Sequence, residues 1–454
     1  MAPRYKAPRG TQDVLPEVSW RWQRVEAAFR DICRRYNYGE IRTPLFEETE
    51  LFERGTGEGT EIVTKQMYTF QDRGGRSLTL RPEGTPPVVR AALEHNLTAQ
   101  GQLAKLYYIA SIFRYERPQA GRYRQHTQLG IEAIGAPGPD MDAEVIALFH
   151  DFLNEIGLQG AVTHVSSIGC PNCRPAFSAA LREFFAPKIG EMCEFCQARY
   201  ETNPLRILDC KMPDDVAARD GAPSALEHFC GDCRAHFDGV RAMLDALSVP
   251  YQVDPTIVRG LDYYTRTTFE VIHPALGAKD VIMGGGRYDG LVEALGGPPT
   301  PGIGFGSGLE RLLLVLTAAT PSPDLERGPG GEVRAAAPSP LAERGTGGEV
   351  RPGTDVYLAA ASPEARRPAF LLAIELRRAG ISAELDYTDR SLKTQMKDAN
   401  RLGARWAALI GEDELAAGTV TLRDMVTGDQ TSVPRAEALA AIKQKLTGAP
   451  EANP

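Results

Sequence analysis

The stretch Arg259-Gly260-Leu261-Asp262-Tyr263-Tyr264-Thr265 is answered downstream by Gly284-Gly285-Gly286-Arg287-Tyr288-Asp289-Gly290. Each sets Arg, Asp and Tyr beside glycine. Glycine admits positive φ and close backbone approach, and a guanidinium offers a planar fork of donors to carboxylate or phosphate. The pairing points to a polar, anionic ligand. Either heptad alone reads equally as a tight turn bearing surface charge, so the rest of the chain must decide. Just beyond lies Gly302-Ile303-Gly304-Phe305-Gly306-Ser307-Gly308, followed by an apolar helix from Leu309. Glycine at alternate positions of a strand bares one sheet face for a flat ligand. No Gly-Lys-Ser/Thr is present here, which excludes a phosphate-binding P-loop.

Working back, the segment 106–134 has a parity that can be checked. His126, Gln128, Gly130 and Glu132 are polar or bare, while Leu129, Ile131 and Ala133 are apolar, and in a strand these sets face opposite sides. Phe113 to Arg117 is expected to form the antiparallel partner strand, bringing Arg114, Arg122, Gln128 and Glu132 to one face. The alternative is a solvated face. All cations from 114 to 124 are Arg, which suits bidentate phosphate contact.

Toward the amino end, Val18, Trp22, Val25, Phe29, Ile32, Cys33 and Tyr36 make one buried helical stripe. Tyr38 to Glu47 reads as a strand ending at Pro44. Thr64–Phe70 and Leu78–Thr85 read as strands around the turn Gly74-Gly75, with a helix from about Pro86. Glu83 and Thr85 then sit at a strand's end, where Thr85 serves either a ligand or the helix as its cap.

Composition bounds the rest. With domains of roughly 100–200 residues, 454 residues imply two to four domains. The chain is 43% hydrophobic and 24% charged, as soluble globular proteins are. No apolar run is long enough to span a membrane, and no secretory leader opens the chain, so a cytoplasmic protein is expected. A net charge of −8 does not advertise a nucleic-acid binder. Seven of the eight cysteines fall between 170 and 233, in three Cys-x-x-Cys pairs (Cys170/Cys173, Cys193/Cys196, Cys230/Cys233) plus Cys210. Their spacing fits a structural zinc site or a reduced, metal-free thiol cluster in an inserted module.

Residues 319–353 read as a linker rich in Pro, Gly and Ala, containing the near repeat 326–334 and 343–351. Beyond it, strands and helices alternate as in a small α/β domain with a largely parallel sheet. Lys393, Lys397, Arg401 and Arg405 recur every four residues, a basic stripe on or near one helix that suits either solvent or RNA.

Taken together these pieces resemble the histidyl-tRNA synthetases, within the class II aminoacyl-tRNA synthetases. Tyr38–Glu47, Phe113–Glu132 and Gly304–Arg311 are similar to the three class-defining motifs. The two heptads resemble the histidine-specific pair, and Ser391–Lys397 resembles the anticodon-binding domain. The regulatory subunit of ATP phosphoribosyltransferase shares the catalytic core but typically lacks the anticodon domain and the full heptads.

The resemblance implies a class II, α+β catalytic domain on a mixed, mainly antiparallel sheet of six to seven strands (1–168 and 254–318). An inserted Cys-rich module (169–253) and an α/β anticodon-binding domain (354–454) complete the chain, which is expected to form a homodimer. It also implies roles. Arg259 and Arg114 act at the α-phosphate of ATP; Arg122, His126 and Arg311 complete the nucleotide site. Glu83, Thr85, Gln128, Glu132, Tyr263 and Tyr264 bind histidine. Gln119, Lys393, Lys397 and Arg401 contact tRNA(His), and magnesium accompanies ATP. The family commonly carries Phe where this chain has His126.

Overall fold

The computed structural model describes residues 5–57, 59–119, 121–210, 212–257, 260–275, 281–319 and 353–447. Arg259 and nearly all of the expected linker, with its repeat, lie outside them. Packing divides the chain into two units, Met1–Glu26 with Glu40–Leu325, and Ala27–Gly39 with Glu326–Pro454. The end of the amino-terminal helix Pro16–Arg35 therefore groups with the carboxy-terminal unit. No helix among the described residues is long and apolar enough to cross a membrane.

The larger unit is built on an eight-stranded sheet, one or two strands wider than expected. Its order is Gly39–Glu40, Ala104–Phe113, Gln125–Ile134, Gly302–Gly308, Val281–Arg287, Thr265–Ile272, Val162–Ser167 and Tyr251–Val253. The six central strands pair antiparallel, and the last strand joins its neighbour in parallel. The helix Pro139–Glu155 is buried over most of its length, its buried charges paired, Asp142 with Arg287 and Glu144 with Lys105.

Three local expectations are corrected. The partner of Gln125–Ile134 is Ala104–Phe113, in register from Ala104 opposite Ile134 to Phe113 opposite Gln125. The charged run Arg114–Arg117 has no apolar face to bury and leaves the sheet as a loop. Tyr38–Glu47 is split at its proline. Gly39–Glu40 joins the large sheet, whereas Phe46–Glu48 joins a separate three-stranded sheet with Ser77–Leu80 and Tyr68–Gln71. Residues Ile62–Gln66 coil into a wide helical turn before that last strand begins.

In the carboxy-terminal unit the sheet order is Ala383–Leu385, Val356–Ala360, Trp406–Ile410, Thr419–Asp424, Gln430–Pro434. The first three are parallel, and a terminal antiparallel hairpin completes them. The sheet is thus mixed, and its last strand carries no apolar run that marks it in the sequence.

Candidate active site

Register in the large sheet assembles the site. Glu132 lies opposite Gly304, Gly304 opposite Gly286, and Gly286 opposite Thr268. The adjacent row runs Tyr108, Gly130, Gly306, Gly284, Glu270. Directly opposed residues share a face, so both rows line one surface. A methyl group on Gly304 would sit 2.1 Å from Glu132 Oε2, and one on Gly306 2.2 Å from Gln128 Nε2. The face expected to stay bare for a flat ligand is thus occupied first by the protein's own polar side chains, lying across glycine.

Glu83 and Glu132 are the chemical centre, and both are buried. The Thr85 hydroxyl lies 2.7 Å from Glu132 Oε1 and 3.2 Å from Glu83 Oε1. Helix Thr85–Glu94 starts at this residue with Gly84 preceding it, so the hydroxyl serves the carboxylates and caps nothing. The Tyr263 hydroxyl donates to Glu83 at 3.3 Å, and that of Tyr288 to Glu132 at 2.6 Å. Tyr108 donates to Gln128 Oε1 at 3.4 Å.

Burial dominates the electrostatics. It pushes the Glu132 carboxyl up to about 8, with Glu83 adding like-charge repulsion, against the bonds from Tyr288 and Thr85. Burial also raises Glu83, opposed by the Arg114 charge and by the donors Thr85 and Tyr263, which favour the anion. The pair is therefore short of positive charge, and a ligand carrying an ammonium or an N–H donor supplies what it lacks.

Of the expected nucleotide residues, Arg114 lies beside this centre. Arg114 Nε donates to the Pro82 carbonyl at 2.6 Å, next to Glu83. Burial and the Arg114 charge lower His126 to about 3, so its ring is neutral. Arg311 Nη1 donates to the Val281 carbonyl at 2.6 Å. Arg122 is 3.8 Å from Glu116 in the loop that also presents Gln119, which is exposed. Tyr264 is buried within the apolar core of the Cys-rich module. In the other unit, Lys393 and Lys397 are exposed on helix Leu392–Arg401, and Arg401 is paired with Asp398 at 3.1 Å. Arg405 falls beyond that helix and donates to the Leu446 carbonyl at 3.0 Å, so it leaves the expected stripe.

Two residues of the second heptad take roles the sequence did not reveal. Tyr288 reaches Glu132 as above. Arg287 turns to the opposite side of the sheet, fully buried, and binds Asp142 at 2.6 Å and the Ala136 and Gly138 carbonyls. Burial alone would raise Asp142; the charges of Arg287 and His236 outweigh it and hold the carboxyl at about 2. Arg287 fastens the scaffold and offers nothing to an anionic ligand.

The expected single zinc set of Cys170, Cys173, Cys193, Cys196, Cys230 and Cys233 is divided in space. Cys170, Cys173, Cys230 and Cys233 form one cluster; Cys193, Cys196 and Cys210 form another with Asp215.

Residues 10–312 match the histidyl-tRNA synthetase family model, and 355–445 match the anticodon binding domain model. The chain belongs to the histidyl-tRNA synthetase family. It is 50% identical to the histidine–tRNA ligase of Desulforudis audaxviator (strain MP104C), over 97% of this chain and 99% of that one. It is 49% identical to that of Moorella thermoacetica (strain ATCC 39073 / JCM 9320), over 94% and 96%. The apo S. aureus histidyl-tRNA synthetase superposes with a TM-score of 0.59 at 38% identity, covering 97% of this chain and all of that one.

Proposed function

We infer that this chain is a histidine–tRNA ligase, activating L-histidine with ATP to histidyl-adenylate and transferring histidine to tRNA(His). The observation that carries the reading is the buried pair Glu83 and Glu132 joined through Thr85. Its anticodon domain and near-full-length relatives favour charging over the regulatory-subunit reading.

In this reading Glu83, Thr85 and Gln128 take the α-ammonium. Glu132, held by Tyr288, and Tyr264 take the two imidazole nitrogens, and Tyr263 steadies Glu83. A wrong side chain would leave buried polar groups unpaired, a discrimination that reaches about 10⁴-fold. Arg114 and Arg259 face the α-phosphate, where negative charge grows as the histidine carboxylate attacks. Arg122 takes the γ-phosphate, while His126 and Arg311 flank adenine. The arginines cannot themselves ligate magnesium, which would accompany the nucleotide. When bound it neutralises charge on departing pyrophosphate. Gln119 meets the acceptor end, and Lys393, Lys397 and Arg401 meet the anticodon arm.

The reading also carries a cytoplasmic location, in keeping with eight cysteines that form no disulfide, and a homodimer. Exposed Leu45, Phe46 and Phe70 supply an apolar face for the second copy. Histidine-dependent ATP/pyrophosphate exchange, followed by charging of tRNA(His), tests the function. Pure protein without exchange would overturn it.

A further inference from the structure

The Cys-rich module is packed over the histidine site. Its core of Phe177, Leu181, Phe185, Ile207 and neighbours encloses Tyr264, with Tyr263 and Leu261 against its edge. The module also grips the backbone of this heptad at two points. Arg174 donates to the Tyr264 carbonyl. Arg206 donates to the Gly260 carbonyl at 2.9 Å and to Asp262 at 3.2 Å, where Asn203 adds a bond at 3.3 Å.

Each arginine stands beside one of the two thiol clusters. Arg174 directly follows Cys173, whose cluster joins the start of helix Arg174–Phe185 to the start of helix Gly231–Ala246. Arg206 lies in the short helix Pro204–Asp209, which ends at Cys210 of the other cluster.

The geometry within each cluster fits a metal. With Zn–S bonds of about 2.3 Å, tetrahedral sulfurs lie about 3.8 Å apart. The structure has Cys170 and Cys173 at 3.6 Å, Cys170 and Cys230 at 3.9 Å, and Cys193 and Cys210 at 3.8 Å. Disulfide sulfurs would lie about 2.05 Å apart. All four ligand atoms of each set fall within 4.8 Å of one another. The Cys230 amide points at Cys173 Sγ, 3.1 Å away, as an outer donor to a thiolate does. In the second cluster Asp215 is 2% exposed. Its carboxylate contacts Cys210 Sγ at 3.0 Å and the Cys193 amide, and among the described residues no Lys or Arg pairs with it. As thiols the cysteines donate to the Asp215 carboxylate; as thiolates they would leave it buried among like charge, which a divalent ion neutralises.

We propose that the module holds two structural zinc ions, one in the set of four cysteines and one in the set of three cysteines with Asp215. Through Arg174 and Arg206 these clips position the 260–264 backbone of the histidine site. Zinc is chosen over iron because the second set includes a carboxylate oxygen, which zinc accepts alongside thiolates. The positioning half rests on the ligase reading; the metal count does not.

Elemental analysis of the full chain, purified from zinc-supplemented cells, is expected to give two zincs and no iron per chain. Asp215→Ala is expected to hold one, and Asp215→Cys two. A wild-type content of about one or less, iron in place of zinc, or two zincs in Asp215→Ala would overturn the two-site assignment. For positioning, Arg206→Ala is expected to keep both metals while kcat for histidine-dependent exchange falls about tenfold or more, as misplaced reacting groups require. Asp215→Ala, if it folds, lowers kcat likewise, and Asp215→Cys restores it. Unchanged kcat in metal-replete Arg206→Ala overturns the positioning role. Absence of exchange in a wild type carrying two zincs would instead overturn the ligase reading.

Discussion

The Tyr288 ring lies over the bare backbone of Gly302 and the Glu132 carboxylate over that of Gly304, and the two meet, hydroxyl to carboxylate, at 2.6 Å. The bond ties the second glycine-rich heptad to the strand bearing the candidate imidazole acceptor. A hydrogen bond to a charged or chargeable group contributes about 1.5–3 kcal/mol, and here it also aims the carboxylate. Tyr288→Phe keeps the ring, which packs edge-on to Tyr263 at 6.0 Å, and removes only the donor. The KM for histidine in ATP/pyrophosphate exchange is expected to rise about tenfold or more, with KM for ATP unchanged. Equal KM values for histidine in both proteins would mean that Tyr288 does not hold Glu132 for binding.

The glycines of strand Gly302–Gly308 are not equivalent. A methyl on Gly304 collides with Glu132 Oε2 at 2.1 Å, whereas one on Gly308 meets only Arg311 Cβ at an ordinary 3.8 Å. Gly304→Ala is therefore expected to abolish histidine activation, and Gly308→Ala to stay within severalfold of wild type. Both can be checked by exchange kinetics, with circular dichroism to confirm folding. Similar losses in the two variants would show that alanine harms the strand in general.

Glu132 gives the folded protein a signed pH dependence. Its carboxyl is raised from 4.5 to about 8 by burial, so the fold favours the protonated form. That contribution is complete below the unfolded value and is lost as pH rises through about 8. Glu132→Gln mimics the neutral acid and removes the dependence. Relative to the variant, ligand-free wild type is expected to lose a few kcal/mol of stability between about pH 5 and about pH 9. Urea unfolding across that range checks it, and parallel curves for the two proteins would contradict it.

How much of this was legible depends on how local each cause is. Alternating parity placed Gln128, Gly130 and Glu132 on one face, and alternate glycines marked strand Gly302–Gly308, because both patterns repeat within one strand. Arg287 was misread as a ligand group because its partner Asp142 sits on a helix 145 positions away, and a guanidinium next to glycine looks alike in either role. The seven thiols showed a metal-binding pattern, but their division into two sets is set by helix packing. Nothing in the sequence marks Asp215 as the fourth member of the second. The strand predicted at Phe113–Arg117 failed because alternation of charge with aromatic residues resembles a half-buried strand even where no partner covers it.

The anticodon unit offers a test that leaves the catalytic centre untouched. Lys393 and Lys397 are exposed one helical turn apart, whereas Arg401 already pairs with Asp398 and Arg405 with a main-chain carbonyl. The two lysines are thus the stripe's least engaged cations, Arg401 being shared with Asp398. Contacts of lysine with nucleic-acid phosphate weaken as salt rises, by about one unit of log–log slope for each contact removed. Lys393→Ala with Lys397→Ala is expected to raise the KM for tRNA(His) about tenfold at low salt and to flatten its salt dependence by about two units. Histidine-dependent exchange, which needs no tRNA, is expected to be unchanged. If the tRNA KM keeps its wild-type value and slope, this helix faces solvent and the anticodon arm is read by another surface of the unit.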